Sequence, residues 1–128
     1  MNTRLASYRD GEIELAFPIN GAHVTIGRED DNEIQLPHEK VSKHHAALVP
    51  SEAGWCIVDL GSANGVWVNG KQVQRVVLKQ GDRVSIGSYE LVFETNVPAE
   101  EWVPSYLMDL SPKVHEQTIF VTKPPPQG

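Results

Sequence analysis

The sequence predicts an all-β sandwich or barrel, because short alternating segments are separated by turn signals and no helical periodicity precedes residue 98. Polar and apolar residues alternate over residues 12–17, 23–26, 82–86 and 90–93, which is the period of a half-buried strand. The Asp-Gly and Asn-Gly pairs between such segments supply the positive φ that tight hairpin turns require. Many short strands at close intervals are typical of a sandwich or barrel.

Two continuous apolar runs, at residues 46–49 and 55–60, predict strands buried within a sandwich. The single cysteine, Cys56, lies in the second run. We expect it to be a buried small hydrophobic residue rather than a reactive thiol. One cysteine excludes an internal disulfide framework and a four-cysteine zinc site.

Glycine and proline divide the chain into two parts. Nine of the ten glycines precede residue 88, whereas six of the nine prolines follow residue 97. We therefore expect a domain at residues 1–96 and a proline-rich C-terminal tail or linker at residues 97–128. Such a tail is expected to lead to further regions of a longer parent protein.

The charge and hydropathy of the chain exclude several classes of function. The formal net charge of -6 argues against nonspecific nucleic-acid binding, which needs Lys and Arg to neutralise phosphates. No apolar stretch approaches the roughly 20 residues that span a bilayer, and the N-terminus lacks the apolar core of a secretory signal. We expect a cytoplasmic protein with no membrane partner, in which any anion site is built locally.

Catalytic residue types are present, but their pattern does not predict an enzyme. A nucleophilic triad would need residues such as Ser42, His44, His45 and Asp59, yet no nucleophile-elbow pattern surrounds Ser42. The adjacent histidines would point to opposite faces of a strand and rarely chelate a metal together. Because no HExxH spacing is present either, we expect no catalysis, no metal and no cofactor.

Four polar motifs follow one another at predicted strand ends and turns. They are Gly-Arg at 27–28, SxxH at 42–45, DxxSxNGxxxNG at 59–70 and LxxGDxxxIG at 78–87. Each motif alone is weak, but the four in this order and spacing resemble the forkhead-associated (FHA) domain. The resemblance covers residues 24–93 and, by fold, the earlier strands from residue 4 onward.

The resemblance implies an FHA-type β-sandwich of two twisted, mainly antiparallel sheets with about 11 strands. It also implies loops at one end that bind phosphothreonine peptides. The function expected is therefore that of a non-catalytic reader or adaptor in Ser/Thr kinase signalling. Its expected partners are a phosphothreonine-containing protein and the components of a kinase pathway.

The resemblance assigns the phosphopeptide contacts to particular side chains. Arg28 matches the arginine that grips the phosphate, which a guanidinium can do bidentately. Ser42 matches a serine whose hydroxyl donates to the phosphate, and Lys43 occupies a position that often adds a further contact. Asn64 matches the asparagine that holds the peptide backbone. Ser62 is a candidate contact, because the neighbouring position, where some relatives have a hydroxyl, is alanine here.

Other residues are assigned to support of the loops. His45 matches a histidine that braces the binding loops by hydrogen bonds, and Gly27 and Gly65 are expected to serve backbone geometry. Trp67 is expected to pack in the core or on a turn rather than to bind ligand. The acidic residues 29–31, if they face the groove, would disfavour acidic ligand residues on that side.

The tail contains a candidate phosphosite. Thr118 has an aliphatic residue, Val121, three positions after it, and many FHA domains read that position. One hypothesis is that phosphorylated Thr118 is recognised by Arg28 and Ser42, within one chain or head to tail between two. The alternative is a plain linker.

A second reading of the whole chain is a phospho-independent scaffold that binds its partner through a sheet face. The presence of Arg28, Ser42 and Asn64 together favours the phosphopeptide reading, because an idle site has no need of all three.

Overall fold

A computed structural model describes residues 2–98, and within that range the chain forms eleven β-strands and no helix. The strands are β1 (Asn2–Arg9), β2 (Glu12–Ile19), β3 (Val24–Gly27), β4 (Ile34–Gln35), β5 (Ala46–Ser51), β6 (Gly54–Asp59), β7 (Val66–Val68), β8 (Lys71–Val73), β9 (Arg75–Val77), β10 (Arg83–Ile86) and β11 (Tyr89–Val97). The same residues contain no helix long and apolar enough to cross a membrane.

The strands form two sheets. A six-stranded sheet has the order β2-β1-β11-β10-β7-β8, and a five-stranded sheet has the order β4-β3-β5-β6-β9. Every pair of neighbours is antiparallel except β3 and β4, which are parallel. The predicted β-sandwich of two mainly antiparallel sheets is confirmed.

The core lies between the sheets and follows the alternation in the sequence. Leu5, Phe17 and Leu91 enter it from the six-stranded sheet and are fully buried. Ile26 and Leu48 enter it from the five-stranded sheet, where they are also fully buried. Burial of such a side chain contributes about 1.5–3 kcal/mol.

The second apolar run differs in part from its prediction. Ile57 of β6 is fully buried in the core, but Trp55 and Val58 are only half-buried, and Leu60, which follows the strand, is exposed. Trp55 and Ile57 lie on the core-facing side of β6, where Trp55 packs at the edge of the core, whereas Val58 lies on the outer side, which is only partly covered. Cys56 is buried and unpaired, as predicted.

Two hairpins confirm the turn signals. Asp10 and Gly11 have φ values of 54° and 81° between β1 and β2, and Asn69 and Gly70 have 52° and 84° between β7 and β8. Positive φ at both central residues is the requirement of a type I′ turn, whose twist matches that of the flanking strands.

The sandwich has two opposite ends, here called poles, and β11 runs from one to the other. At one pole, Val97 at the end of β11 pairs with Asn2 at the start of β1. Nine residues of extended strand, about 27 Å, lead from there to Tyr89 at the opposite pole. At that second pole Gly87, in the β10–β11 turn, packs closely against Val41 in the β4–β5 connection.

Candidate functional site

The β4–β5 connection, residues 36–45, forms the centre of a cluster of loops at the second pole. The β3–β4 connection joins it where the Arg28 N–H donates to the Ser42 carbonyl at 3.0 Å. The β6–β7 connection joins it where the Ala63 N–H donates to Ser42 Oγ, also at 3.0 Å. The first three sequence motifs therefore meet around Ser42, although the chain separates them by up to 35 positions.

Arg28 lies directly after β3 and its residue is half-buried. Both polar groups of its backbone are held. The N–H donates to the Ser42 carbonyl, and the carbonyl accepts a hydrogen bond from Gln35 Nε2 at 3.1 Å. Among residues 2–98 the guanidinium has no hydrogen-bond or ion-pair partner. Residues 2–98 thus fix the backbone of Arg28 and supply no anion to its guanidinium.

Ser42 and Lys43 follow one another beside this cation. The Ser42 hydroxyl oxygen accepts from Ala63, and no acceptor for its own hydrogen lies among the residues described. It can therefore donate to a ligand. Lys43 is exposed, and its backbone carbonyl accepts from the Glu29 N–H at 3.4 Å. Its ammonium group has no partner within the described part of the chain.

The β6–β7 connection carries Asn64 and Ser62, which have different surroundings. Asn64 is exposed, and its Nδ2 donates to the Lys40 carbonyl at 2.7 Å. Ser62 is half-buried, and its hydroxyl oxygen accepts from the Gly65 N–H at 3.0 Å. Ser62 thereby stabilises its own loop, whereas the carbonyl oxygen of the Asn64 side chain has no partner among residues 2–98.

His45 links the β4–β5 and β6–β7 connections from the core side. Its side chain is fully buried, its Nδ1 accepts from the Ser42 N–H at 3.0 Å, and its Nε2 donates to the Gly65 carbonyl at 2.8 Å. This pair of contacts requires the neutral ring with the proton on Nε2. The ring therefore couples the position of Ser42 to that of the Asn64–Gly65 turn.

Asn32, which the sequence analysis did not single out, ties the β3–β4 and β4–β5 connections together. Its side chain is 1% exposed. Its Nδ2 donates to the Glu29 carbonyl at 2.8 Å and to the Lys43 carbonyl at 2.9 Å. A lone buried amide belongs to no periodic pattern, so the sequence carried no signal for it.

A second unpredicted contact joins the same connections at the surface. His44 Nε2 lies 2.9 and 3.1 Å from the two carboxylate oxygens of Asp31. The hydrogen bond from His44 lowers the pKa of Asp31 below its usual value. The charge of Asp31 is therefore engaged by a neighbour, while Glu29 and Asp30 are exposed beside the loops.

Gly27 is required by a close approach of two backbones. A Cβ at this position would lie 2.2 Å from the Lys43 carbonyl oxygen and 2.7 Å from Asn32 Nδ2. Gly65 has φ of 85°, which other residues rarely adopt, and its Cβ would lie 2.4 Å from Gln72 Nε2. The loop cluster thus depends on both glycines.

We expect Gly27→Ala to lower the free energy of unfolding by about 1–3 kcal/mol, because the new methyl group meets backbone that cannot rotate away. Urea denaturation measures this change. Gly61→Ala is the control, since a Cβ there meets nothing within 4 Å, and its only cost is that of positive φ, about 1 kcal/mol. A Gly27→Ala protein as stable as the wild type would contradict the close approach.

The sequence model of the FHA domain family matches residues 24–87, half of the 128 residues. The chain belongs to the FHA domain family. The resemblance predicted from the four motifs is therefore confirmed. Among residues 2–98, no three His, Cys, Asp or Glu side chains form a group that could hold a metal ion.

Several FHA relatives are similar to parts of this chain. The ABC transporter ATP-binding/permease protein Rv1747 of Mycobacterium tuberculosis is 49% identical over 70 residues, 55% of this chain and 8% of that protein. The transcriptional regulatory protein EmbR of the same bacterium is 38% identical over 79 residues, 61% of this chain and 20% of EmbR. The chain spans about half or less of the length of curated relatives that it matches.

Solved FHA structures share the fold. EmbR in complex with a low-affinity phosphopeptide gives a TM-score of 0.69 at 32% identity, covering 77% of this chain and 25% of that one. A structure from an analysis of phosphothreonine-dependent FHA domain interactions gives 0.67 at 25% identity, covering 77% of this chain and 100% of that one.

Proposed function

We propose that this FHA domain is a phosphothreonine-dependent peptide-binding module that acts as a reader or adaptor in Ser/Thr kinase signalling. The observation that carries the proposal is the half-buried residue Arg28, whose guanidinium lacks an anionic partner among residues 2–98. A phosphate accepts two parallel hydrogen bonds from such a group. The neighbouring Ser42 hydroxyl and Lys43 ammonium supply further donors to the same anion.

The energetics fit a reversible signalling contact. Hydrogen bonds to charged groups contribute about 1.5–3 kcal/mol each, so two or three of them with backbone contacts at Asn64 reach roughly -8 kcal/mol, a micromolar affinity. A net charge of -6 gives no long-range attraction for a phosphopeptide. The selectivity for phosphate therefore comes from these few side chains.

Preference for phosphothreonine over phosphoserine is the finer part of the proposal. Burial of one methyl group contributes about 0.8 kcal/mol, which corresponds to about a fourfold difference in affinity. The similarity to structures described with a phosphopeptide and with phosphothreonine-dependent interactions supports the threonine preference. A larger preference would need the methyl group to fix the rotamer of the phosphate.

Fluorescence-anisotropy titration against degenerate phosphothreonine, phosphoserine and unmodified threonine peptide pools tests the proposal. We expect saturable binding to the phosphothreonine pool, weaker binding to phosphoserine, and none to the unmodified pool. Equal binding to modified and unmodified pools would contradict the proposal and favour a phospho-independent scaffold that uses a sheet face.

We further propose that phosphorylated Thr118 is one ligand of this site. Thr118 lies outside the residues that the structure describes, so only the length of chain between Thr118 and the domain bears on its reach. It is 21 positions beyond Val97, and 21 residues can span at most about 70 Å. Because β11 ends at the pole opposite to Arg28, the segment must cover about the length of that strand, 27 Å, to reach its own site.

Phosphorylation of Thr118 in the 128-residue chain, followed by light scattering, tests this ligand. We expect either a smaller hydrodynamic radius, from binding within one chain, or a concentration-dependent rise in mass, from head-to-tail association. Arg28→Ala is expected to abolish both effects, and Thr122→Ala is the matched control that keeps them. A size that does not depend on Arg28 would contradict recognition of the tail.

A further inference from the structure

Trp67 occupies an unusual place beside the loop cluster. Its neighbours in β7, Val66 and Val68, are buried in the core, so Trp67 points to the outer face of the six-stranded sheet. Its side chain is 40% exposed, and it is one of three large exposed hydrophobic side chains within residues 2–98. The contacts of this indole therefore lie on the surface of the sheet rather than in the core.

The Trp67 indole is hydrogen-bonded to Asn64, one of the candidate site residues. Trp67 Nε1 donates to the Asn64 carbonyl at 3.1 Å. The same nitrogen would lie 3.2 Å from a Cβ on Gly65, so the ring edge lies against the Asn64–Gly65 turn. Trp67 pairs across the sheet with Gln72 of β8, whose side-chain amide also approaches Gly65.

Asn64 and Gly65 are consequently held from opposite sides. From the core side, His45 Nε2 donates to the Gly65 carbonyl at 2.8 Å. From the solvent side, the indole of Trp67 donates to the carbonyl one residue earlier. The Asn64 side chain is anchored separately at the Lys40 carbonyl. Because these contacts fix both carbonyl groups, the Asn64 side chain is already oriented before a ligand binds.

We propose that Trp67 is a positioning residue for ligand binding, acting through Asn64 from the outer face of the sheet. The inference rests on the proposed function, because it assumes that Asn64 contacts a phosphopeptide. Fixing an exposed loop residue in its bound orientation removes ordering entropy that binding would otherwise cost. Trp67 thus strengthens ligand binding without touching the ligand.

Trp67→Phe removes the indole N–H and keeps an aromatic ring. We expect it to weaken binding of a phosphothreonine peptide by about three- to tenfold, the range for loss of one net hydrogen bond. Trp55→Phe is the matched control, because Trp55 lies on the five-stranded sheet at the start of β6, away from the loops. It is expected to keep wild-type affinity.

A double-mutant cycle with Asn64→Ala separates positioning from a general loss of stability. We expect Trp67→Phe to have no further effect on affinity once the Asn64 side chain is gone. The indole N–H resonance that disappears in Trp67→Phe is expected to shift when phosphothreonine peptide is added to the wild type, and to stay in place with the unmodified peptide.

Three results would overturn the inference. Wild-type affinity in Trp67→Phe, or an equal loss with and without Asn64, would contradict positioning through Asn64 while leaving the proposed function intact. A wild-type protein that binds no phosphothreonine peptide would overturn the proposed function, and the inference with it.

Discussion

Arg28→Ala is expected to reduce the affinity for a phosphothreonine peptide by about 100-fold or more. Two charge-assisted hydrogen bonds to a phosphate contribute roughly 3–6 kcal/mol, and each 1.4 kcal/mol corresponds to about a tenfold change in affinity. The free energy of unfolding should change little, because the guanidinium has no hydrogen-bond or ion-pair partner within residues 2–98. Isothermal titration calorimetry and urea denaturation measure the two quantities.

A second substitution shows whether charge or geometry matters at residue 28, and a control at another residue accompanies it. Arg28→Lys keeps the charge but not the planar fork, so we expect an affinity between those of the wild type and Arg28→Ala. Arg83→Ala is the matched control, since Arg83 is exposed on β10 and pairs with Glu90; it should bind like the wild type. An Arg28→Ala protein with wild-type affinity would show that Arg28 does not hold the phosphate.

His45→Ala is expected to lower the free energy of unfolding by about 3–5 kcal/mol. The substitution leaves a cavity in place of a fully buried ring, and such truncations cost about 2–5 kcal/mol. It also leaves the Ser42 N–H and the Gly65 carbonyl without their partner, at about 1–3 kcal/mol for each group that stays dry. Because domains are stable by only about 5–15 kcal/mol, the loss is a large fraction of the total.

The same substitution should weaken phosphopeptide binding, because the loops carrying Ser42 and Asn64 lose their common support. Denaturant unfolding and titration calorimetry on one sample measure both effects. His23→Ala is the control: His23 is exposed, and surface substitutions usually change stability by less than about 0.5 kcal/mol. A His45→Ala protein within about 1 kcal/mol of wild-type stability would contradict the bracing role, since measurement can resolve that difference.

The fold was predictable from local features of the sequence. Alternation placed the strands, because one face of each strand is buried, and the Asp10-Gly11 and Asn69-Gly70 pairs marked turns that need positive φ. The order of the four motifs then identified the family. The burial expected for residues 55–60 was wrong for Leu60, which is exposed, and only partly right for Trp55 and Val58, since whether the face and the end of a strand are covered depends on the rest of the fold.

The candidate site was predictable only in part. Arg28, Ser42 and Asn64 stand in recognisable motifs, and the structure brings their connections together. The contacts that hold them have no such signal: Asn32 is a single buried amide, and the Trp67 indole reaches back to a backbone carbonyl. Such contacts depend on side-chain directions and on how closely two loops approach, which spacing along the chain does not encode.

The pairing of Asn2 with Val97 makes this domain suited to insertion and circular permutation. Both strands leave the sandwich side by side, so a host protein could receive the whole unit in a single surface loop without stretching either junction. The loop cluster around Ser42 would then project from the host at the far tip. Joining the two ends and reopening the chain at the Asp10-Gly11 hairpin should likewise preserve the fold, giving a sensor scaffold whose new termini lie on another edge.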